Sequence, residues 1–267
     1  MDLQLFVLCA LTFVIHLIGT LAYAVRIAGV RTGRIAVCFA LFNILVLVSR
    51  TSNSFQGPFL AKRIEENLSH GVSQALLSDF RWLLLSATVA TLVGAFLVPM
   101  FQRLFAVAVS HFQIHRSLPR LLMHGLFKGG IGYVRDAARL PAVSNVSGLR
   151  SGKSVSAWVV VSNAVAVALW TIGVFAALYA GCLNPELRVT ASTLSSVING
   201  VATILMFAFI DPHLSIMTDD VVAGEVSESQ FRRAIVWLVG SRLVGTLLGQ
   251  ALLVPAAMLI AQIARLM

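Results

Sequence analysis

The sequence predicts an all-α integral membrane protein, a polytopic bundle of six transmembrane helices, and three observations carry that expectation. Of its 267 residues 58% are hydrophobic and only 12% charged, with a mean hydropathy of +0.89, a balance no ordinary soluble domain tolerates. Apolar segments near residues 3–24, 35–55, 82–101, 155–180, 189–210 and 234–264 each approach or exceed the roughly 20 residues a helix needs to cross hydrocarbon. These runs are continuous rather than alternating, and in lipid only helices or a closed barrel satisfy the backbone. The whole chain, 1–267, is expected to form a single membrane domain, with a large basic cytoplasmic loop at 102–154.

The net charge of +9 has a membrane explanation, because cytoplasmic loops collect Lys and Arg and suit anionic headgroups; no nucleic-acid partner is implied. Arg26, Arg31 and Arg34 sit in the first loop, a run from Arg103 to Lys153 in the third, and Arg232 and Arg233 in the fifth. The second loop holds only Lys62, Arg63 and Arg81, and the fourth Arg188. Odd loops are therefore expected in the cytoplasm and both termini outside. Ala22-Tyr23-Ala24 imitates a signal-peptidase site, but the chain opens on Asp2 without a basic n-region, so the first apolar run reads as a retained helix. Cys9, Cys38 and Cys182 show no spacing for a disulfide framework or a metal site.

Along the chain, the second span carries Arg50, Thr51, Ser52 and Asn53 at the end of its apolar run. An arginine at a helix centre costs about 2.5–3.5 kcal/mol on translocon scales, so it faces a cavity, a partner or a substrate, or else snorkels to the headgroups. Between spans two and three, Leu60, Ile64, Leu68, Val72, Leu76 and Phe80 recur every four residues. That stripe predicts an amphipathic helix, lying on the outer leaflet, capping the bundle, or connecting and packing on the other helices. The third span is expected to run on into the cytoplasm until Pro119, followed by Arg120, His124, Lys128 and a glycine-rich turn at Gly129, Gly130 and Gly132. The phosphate-loop spacing is absent, which leaves a solvated, lipid-facing basic surface. A faint echo links Arg31-Thr32-Gly33-Arg34, opening span two, with Arg150-Ser151-Gly152-Lys153, opening span four, as in transporters built from repeats.

Helix rise places Asn43, Asn163, Asn199 and Arg242 roughly 12–17 Å from a helix end, near the midplane, where His16, Thr88 and Thr91 could join them. Interhelical amide bonds are an alternative role for each asparagine. Every Asp and Glu is expected in a loop or at a helix end, so no carboxylate would neutralise the buried arginines. Cations without carboxylates favour an anionic ligand such as a phosphate, which arginine grips with two parallel bonds. His16 is then the one titrating group expected within the spans. Enzyme chemistry is not expected: no nucleophile stands beside a base, and Asp211, Asp219 and Asp220 suit a helix cap or a salt bridge better than a metal, so neither metal nor cofactor is implied.

Five stretches carry a resemblance across essentially the whole chain: Ala24–Arg34 (AVRIAGVRTGR), Phe42–Asn53 (FNILVLVSRTSN), Ala177–Gly181 (ALYAG), Thr190–Ile204 (TASTLSSVINGVATI) and Asp211–Asp220 (DPHLSIMTDD). Together they resemble the Amj family of lipid II flippases, alternatives to the MurJ flippase. The resemblance implies movement of undecaprenyl-pyrophosphate-linked disaccharide-pentapeptide, lipid II, from the inner to the outer leaflet of a bacterial cytoplasmic membrane, for cell-wall synthesis, with membrane lipids as the other partner. Joined with the polar residues, it gives an expected path. Arg26, Arg31 and Arg34 would collect the pyrophosphate, Arg242 with Asn43, Asn163 and Asn199 would carry it past the midplane, and Arg50 with Asn53 would receive it. Gly245, Gly249 and Pro255 are expected to give span six a close-packing face and a kink. The alternatives are a transporter of another anionic lipid or organic anion, and a membrane scaffold for cell-wall enzymes whose polar residues only join helices.

Overall fold

The computed structural model describes residues 2–69, 73–115, 130–138 and 155–267. Among them the elements are all helical: α1 (Leu3–Thr32), α2 (Ile35–Ser69), α3 (Ser73–His115), α4 (Gly130–Ala137), α5 (Ala157–Leu183), α6 (Arg188–Thr193), α7 (Ser195–Leu205), a π turn (Met206–Ile210), α8 (Asp211–Ala223) and α9 (Glu228–Leu266). Six stretches are long and apolar enough to cross a membrane, the fifth being the composite Pro185–Ala223. The protein is thus a multi-pass, all-α membrane bundle.

α2, α3 and α9, at 35, 43 and 39 residues, are far longer than the roughly 20 residues that cross hydrocarbon, and this changes several expectations. The periodic stretch from Leu60 to Phe80 is not a separate interfacial helix; it is shared between the end of α2 and the start of α3, with residues 70–72 outside the described part. Leu60, Ile64, Leu76 and Phe80 are all buried in one apolar cluster with Leu5, Leu8, Phe175 and Ile260, and the Phe80 ring meets Tyr179 edge-on at 5.7 Å. The stripe therefore packs on the bundle rather than on lipid. Gly130 and Gly132, expected in a turn, lie within α4, while Gly129, Pro119, Arg120, His124, Lys128 and the run from Arg139 to Lys153 fall outside the described residues. The fifth span is the interrupted one: its π turn separates α7 from α8. α9, by contrast, is one continuous helix with Pro255 inside it.

Two three-helix halves share a pattern. In the first, α1 packs on both α2 and α3, which meet each other much less; in the second, α5 packs on α9 and on the fifth span, which meet only weakly. Ser86 Oγ donates to the Cys9 carbonyl at 2.7 Å, and a Cβ on Gly94 would touch Thr20, so α1 and α3 run parallel. Gly245 against Ala164 and Gly249 against Ile172 make α5 and α9 parallel in the same way. A Cβ on Gly245 would stand 2.5 Å from the Ala164 carbonyl, so this glycine lets the two backbones meet, as small residues do in membrane helix pairs. Because each half holds an odd number of spans, the second half is inverted with respect to the first. The packing pattern pairs span one with span four; Arg150–Lys153, the second half of the echo with Arg31–Arg34, lies outside the described residues. A four-residue motif at a loop reports local charge, whereas the packing order reports which helices are equivalent.

Turns at the Arg31 end are tight. Gly33 caps α1 with φ 63°, a left-handed conformation that glycine adopts at little cost, and α2 starts two residues later. Gly224, φ 81°, ends α8 in the same way, and Ser227 with Gln230 forms a capping box that opens α9.

Candidate functional site

α1 is the polar spine of the molecule. Thr12, His16, Thr20, Tyr23 and Arg26 follow one another by four, four, three and three residues, which sets them on one face of a helix. The first four are buried. From the Asp2 end, Gln56 of α2 donates to the Thr12 hydroxyl, and Arg242 Nε of α9 donates to Thr20 Oγ1 at 3.2 Å while Thr20 donates to the His16 carbonyl at 2.9 Å. One turn on, Asn163 Nδ2 of α5 donates to Ser241 Oγ at 2.7 Å and to the Leu238 carbonyl at 3.0 Å, with the Tyr23 hydroxyl at 3.4 Å. Next Arg26 meets Asp211 of α8 at 2.9 Å, and then Arg31 meets Glu228 of α9 at 3.4 Å. At the opposite end Arg63 of α2 joins Asp2 at 2.8 Å and Asp79 of α3 at 2.7 Å.

Arg242 is the centre of this column. It is 7% exposed, and among the described residues no carboxylate comes within ion-pair distance of it; the Thr20 hydroxyl is its hydrogen-bond partner. Gly19 makes its seat, since a Cβ there would lie 2.3 Å from Nη2 and 3.1 Å from Cζ. His16 is 4% exposed, its Nδ1 has no hydrogen-bond partner among the described residues, and it lies within electrostatic reach of Arg242. A desolvated guanidinium with unspent donors has the chemistry that suits an anion.

The other expected site residues divide. His16 and Asn163 lie in the column with Arg242, though Asn163 is engaged in joining spans one, four and six. Arg26 and Arg31 are not free cations: each has a carboxylate, and Arg26 also stands over the Phe39 ring at 5.2 Å. The expectation that every carboxylate lies in a loop or at a helix end fails for Asp79, because α3 extends past its apolar run, whereas Asp211 makes the kind of salt bridge expected of it. Asp79 is buried inside α3, and Asp211 opens α8 against α1. Arg34 is exposed beside the Gly33 cap. Arg50, Asn53 and Asn43 sit on the exposed face of α2 and are not brought to Arg242. Asn199, half-buried, fits a notch in α5, where a Cβ on Gly173 would come 2.2 Å from its Oδ1. Sequence reasoning missed Thr12, Thr20, Tyr23, Gln56 and Ser241; the spacing of the polar residues along span one was the available signal.

Residues 11–264 match the family described as Amj, alternate to MurJ. The chain belongs to the Amj family. A relative from Bacillus subtilis (strain 168), named lipid II flippase Amj, is 38% identical over 265 residues, covering 96% of this chain and 95% of the relative. No solved structure matches. The Amj match spans all six membrane stretches and every layer of the column except Asp2.

Proposed function

We infer that the protein is a lipid II flippase, a transporter rather than an enzyme, which passes the pyrophosphate headgroup of the lipid along the polar face of α1 while the polyprenyl tail stays in the bilayer. The observation that carries this reading is Arg242, a desolvated cation in mid-helix with a hydroxyl for a partner, in a chain of the Amj family. A carboxylate at that place would have made it structural; without one, its remaining donors suit the phosphate oxygens.

Arg26 and Arg31 then act by exchange. Their ion pairs with Asp211 and Glu228 tie α1 to the second half, and a phosphate that competes for either guanidinium loosens that tie and opens the path toward Arg242. Arg34 gathers the headgroup at the surface, and Arg50 with Asn53 receives it on α2. Two inverted three-helix halves support alternating access, in which one half rocks against the other about a fixed central site. The basic residues of the odd loops support a reading with the Arg31 end in the cytoplasm and both termini outside, and we take 1–267 as one membrane domain of the bacterial cytoplasmic membrane. The test is reconstitution: labelled lipid II in proteoliposomes should become accessible on both leaflets with the wild-type protein and not with Arg242→Gln at equal incorporation. Equal scrambling by the two proteins overturns the assignment of Arg242, and an unrelated anionic phospholipid moved as fast as lipid II overturns the substrate.

A further inference from the structure

We propose that the headgroup and a proton bind together, the diphosphate at Arg242 and the proton at Nδ1 of His16. The proposal rests on the flippase reading and adds a second bound species to it. A diphosphate esterified at both ends carries one ionised oxygen on each phosphorus, and Arg242 neutralises one of them. The remaining charge would stand at a buried place in the bundle, where Thr20, His16 and Arg242 are each 7% exposed or less. A second cation there completes the match, and His16 is placed to supply it. It lies one helical turn from Thr20 and Gly19, the two residues that seat the guanidinium, and its Nδ1 is buried without a partner.

The charged surroundings of His16 point the same way. From α9, Arg242 stands within electrostatic reach of it. From α1 itself Tyr23 and Arg26 lie two to three turns inward, Tyr23 near Asn163 and Arg26 paired with Asp211. Toward the Asp2 end, Arg63 of α2 and Asp79 of α3 are consumed by each other. Gln56 of α2, which donates to Thr12 one turn from His16, does not titrate. No carboxylate therefore holds a proton on His16 in the empty protein, and the arriving diphosphate is the one anion that can. The proton comes from the medium to Nδ1 and leaves when the diphosphate leaves; no covalent bond forms or breaks in the headgroup. Linkage makes the effect reciprocal: a ligand that brings a proton binds more weakly by up to tenfold for each unit of pH above the loaded histidine's titration.

Calorimetric titration of the full-length protein in detergent with lipid II, in two buffers of different ionisation enthalpy, counts protons taken up on binding. Near pH 7.5 the expected count approaches one for wild type and zero for His16→Gln, and the pH dependence of affinity between pH 6 and 9 flattens in the variant. A wild-type count of zero, with saturable binding that Arg242→Gln weakens, overturns this inference and leaves the flippase reading standing. Absence of saturable lipid II binding by wild type removes both. Proton uptake that persists unchanged in a folded His16→Gln or His16→Asn variant also overturns it, and the wild-type count decides the matter if neither variant folds.

Discussion

Gly19→Ala moves Arg242 without touching its charge. The added Cβ would stand 2.3 Å from Nη2, whereas ordinary contact begins near 3.4 Å, so the guanidinium must retreat by about 1 Å. Its Nε bond to Thr20, 3.2 Å long, does not survive such a shift in its present geometry. A hydrogen bond to a charged group contributes about 1.5–3 kcal/mol, so if the displaced fork also misses the phosphate, translocation should fall about 10- to 150-fold. The fold should lose little: the group that yields is the end of a flexible side chain, and the gain of about 0.8–1 kcal/mol from Ala over Gly in a helix interior offsets part of the lost bond. The assay is lipid II translocation in proteoliposomes beside protein abundance, repeated in an Arg242→Gln background, where the added methyl should cost nothing more because both changes strike one site. Wild-type translocation by Gly19→Ala at normal abundance refutes the reasoning.

Arg242→Lys keeps the charge and loses the planar fork, so translocation should drop at near-normal abundance while Arg242→Ala abolishes it; growth with each variant as the sole flippase measures this. Asp211→Asn leaves Arg26 without its carboxylate and should destabilise by about 1–2 kcal/mol, below the fully buried range because Asp211 is 39% exposed, and Arg26→Glu with Asp211→Arg should recover thermal stability in detergent. Asp2 caps α1, and the Leu5 amide followed by Arg63 hold its carboxyl below the usual carboxylate range. Its contribution is therefore present above the ordinary value of about 3.9 and lost as pH falls through the lowered one, so the melting temperature of wild type and Asp2→Asn should converge in acid. With the native cysteines replaced, a cysteine at Glu186 should react with an impermeant thiol reagent in intact cells and one at Ser229 should not; the reverse pattern inverts the topology.

Legibility in the sequence followed the physics of each signal. Hydropathy found six crossings because the backbone in lipid leaves few solutions, but it placed the ends of α2 and α3 wrongly: Lys62, Arg63, Glu65 and Asp79 look like loop residues until Leu60, Ile64, Leu76 and Phe80 are seen buried around them. Arg242 was legible from its depth, and its lack of a carboxylate from the positions of the acids. Arg26 was not, since Asp211 is 185 residues away and only folding brings α8 against α1.

By itself, then, the amino-acid order determined the number of crossings, the helical class, the family and the presence of a cation where lipid should be, because each depends on local composition and rise per residue. Only the tertiary structure decided which polar groups spend their bonds on one another. Asn163 satisfies itself between α1 and α9, Arg26 on Asp211 and Arg63 on Asp2 and Asp79, while Arg242 comes to rest over Gly19 with His16 one turn away. Hydrogen-bond satisfaction is a property of pairs distant in sequence, and a linear reading of single helices contains no term for it.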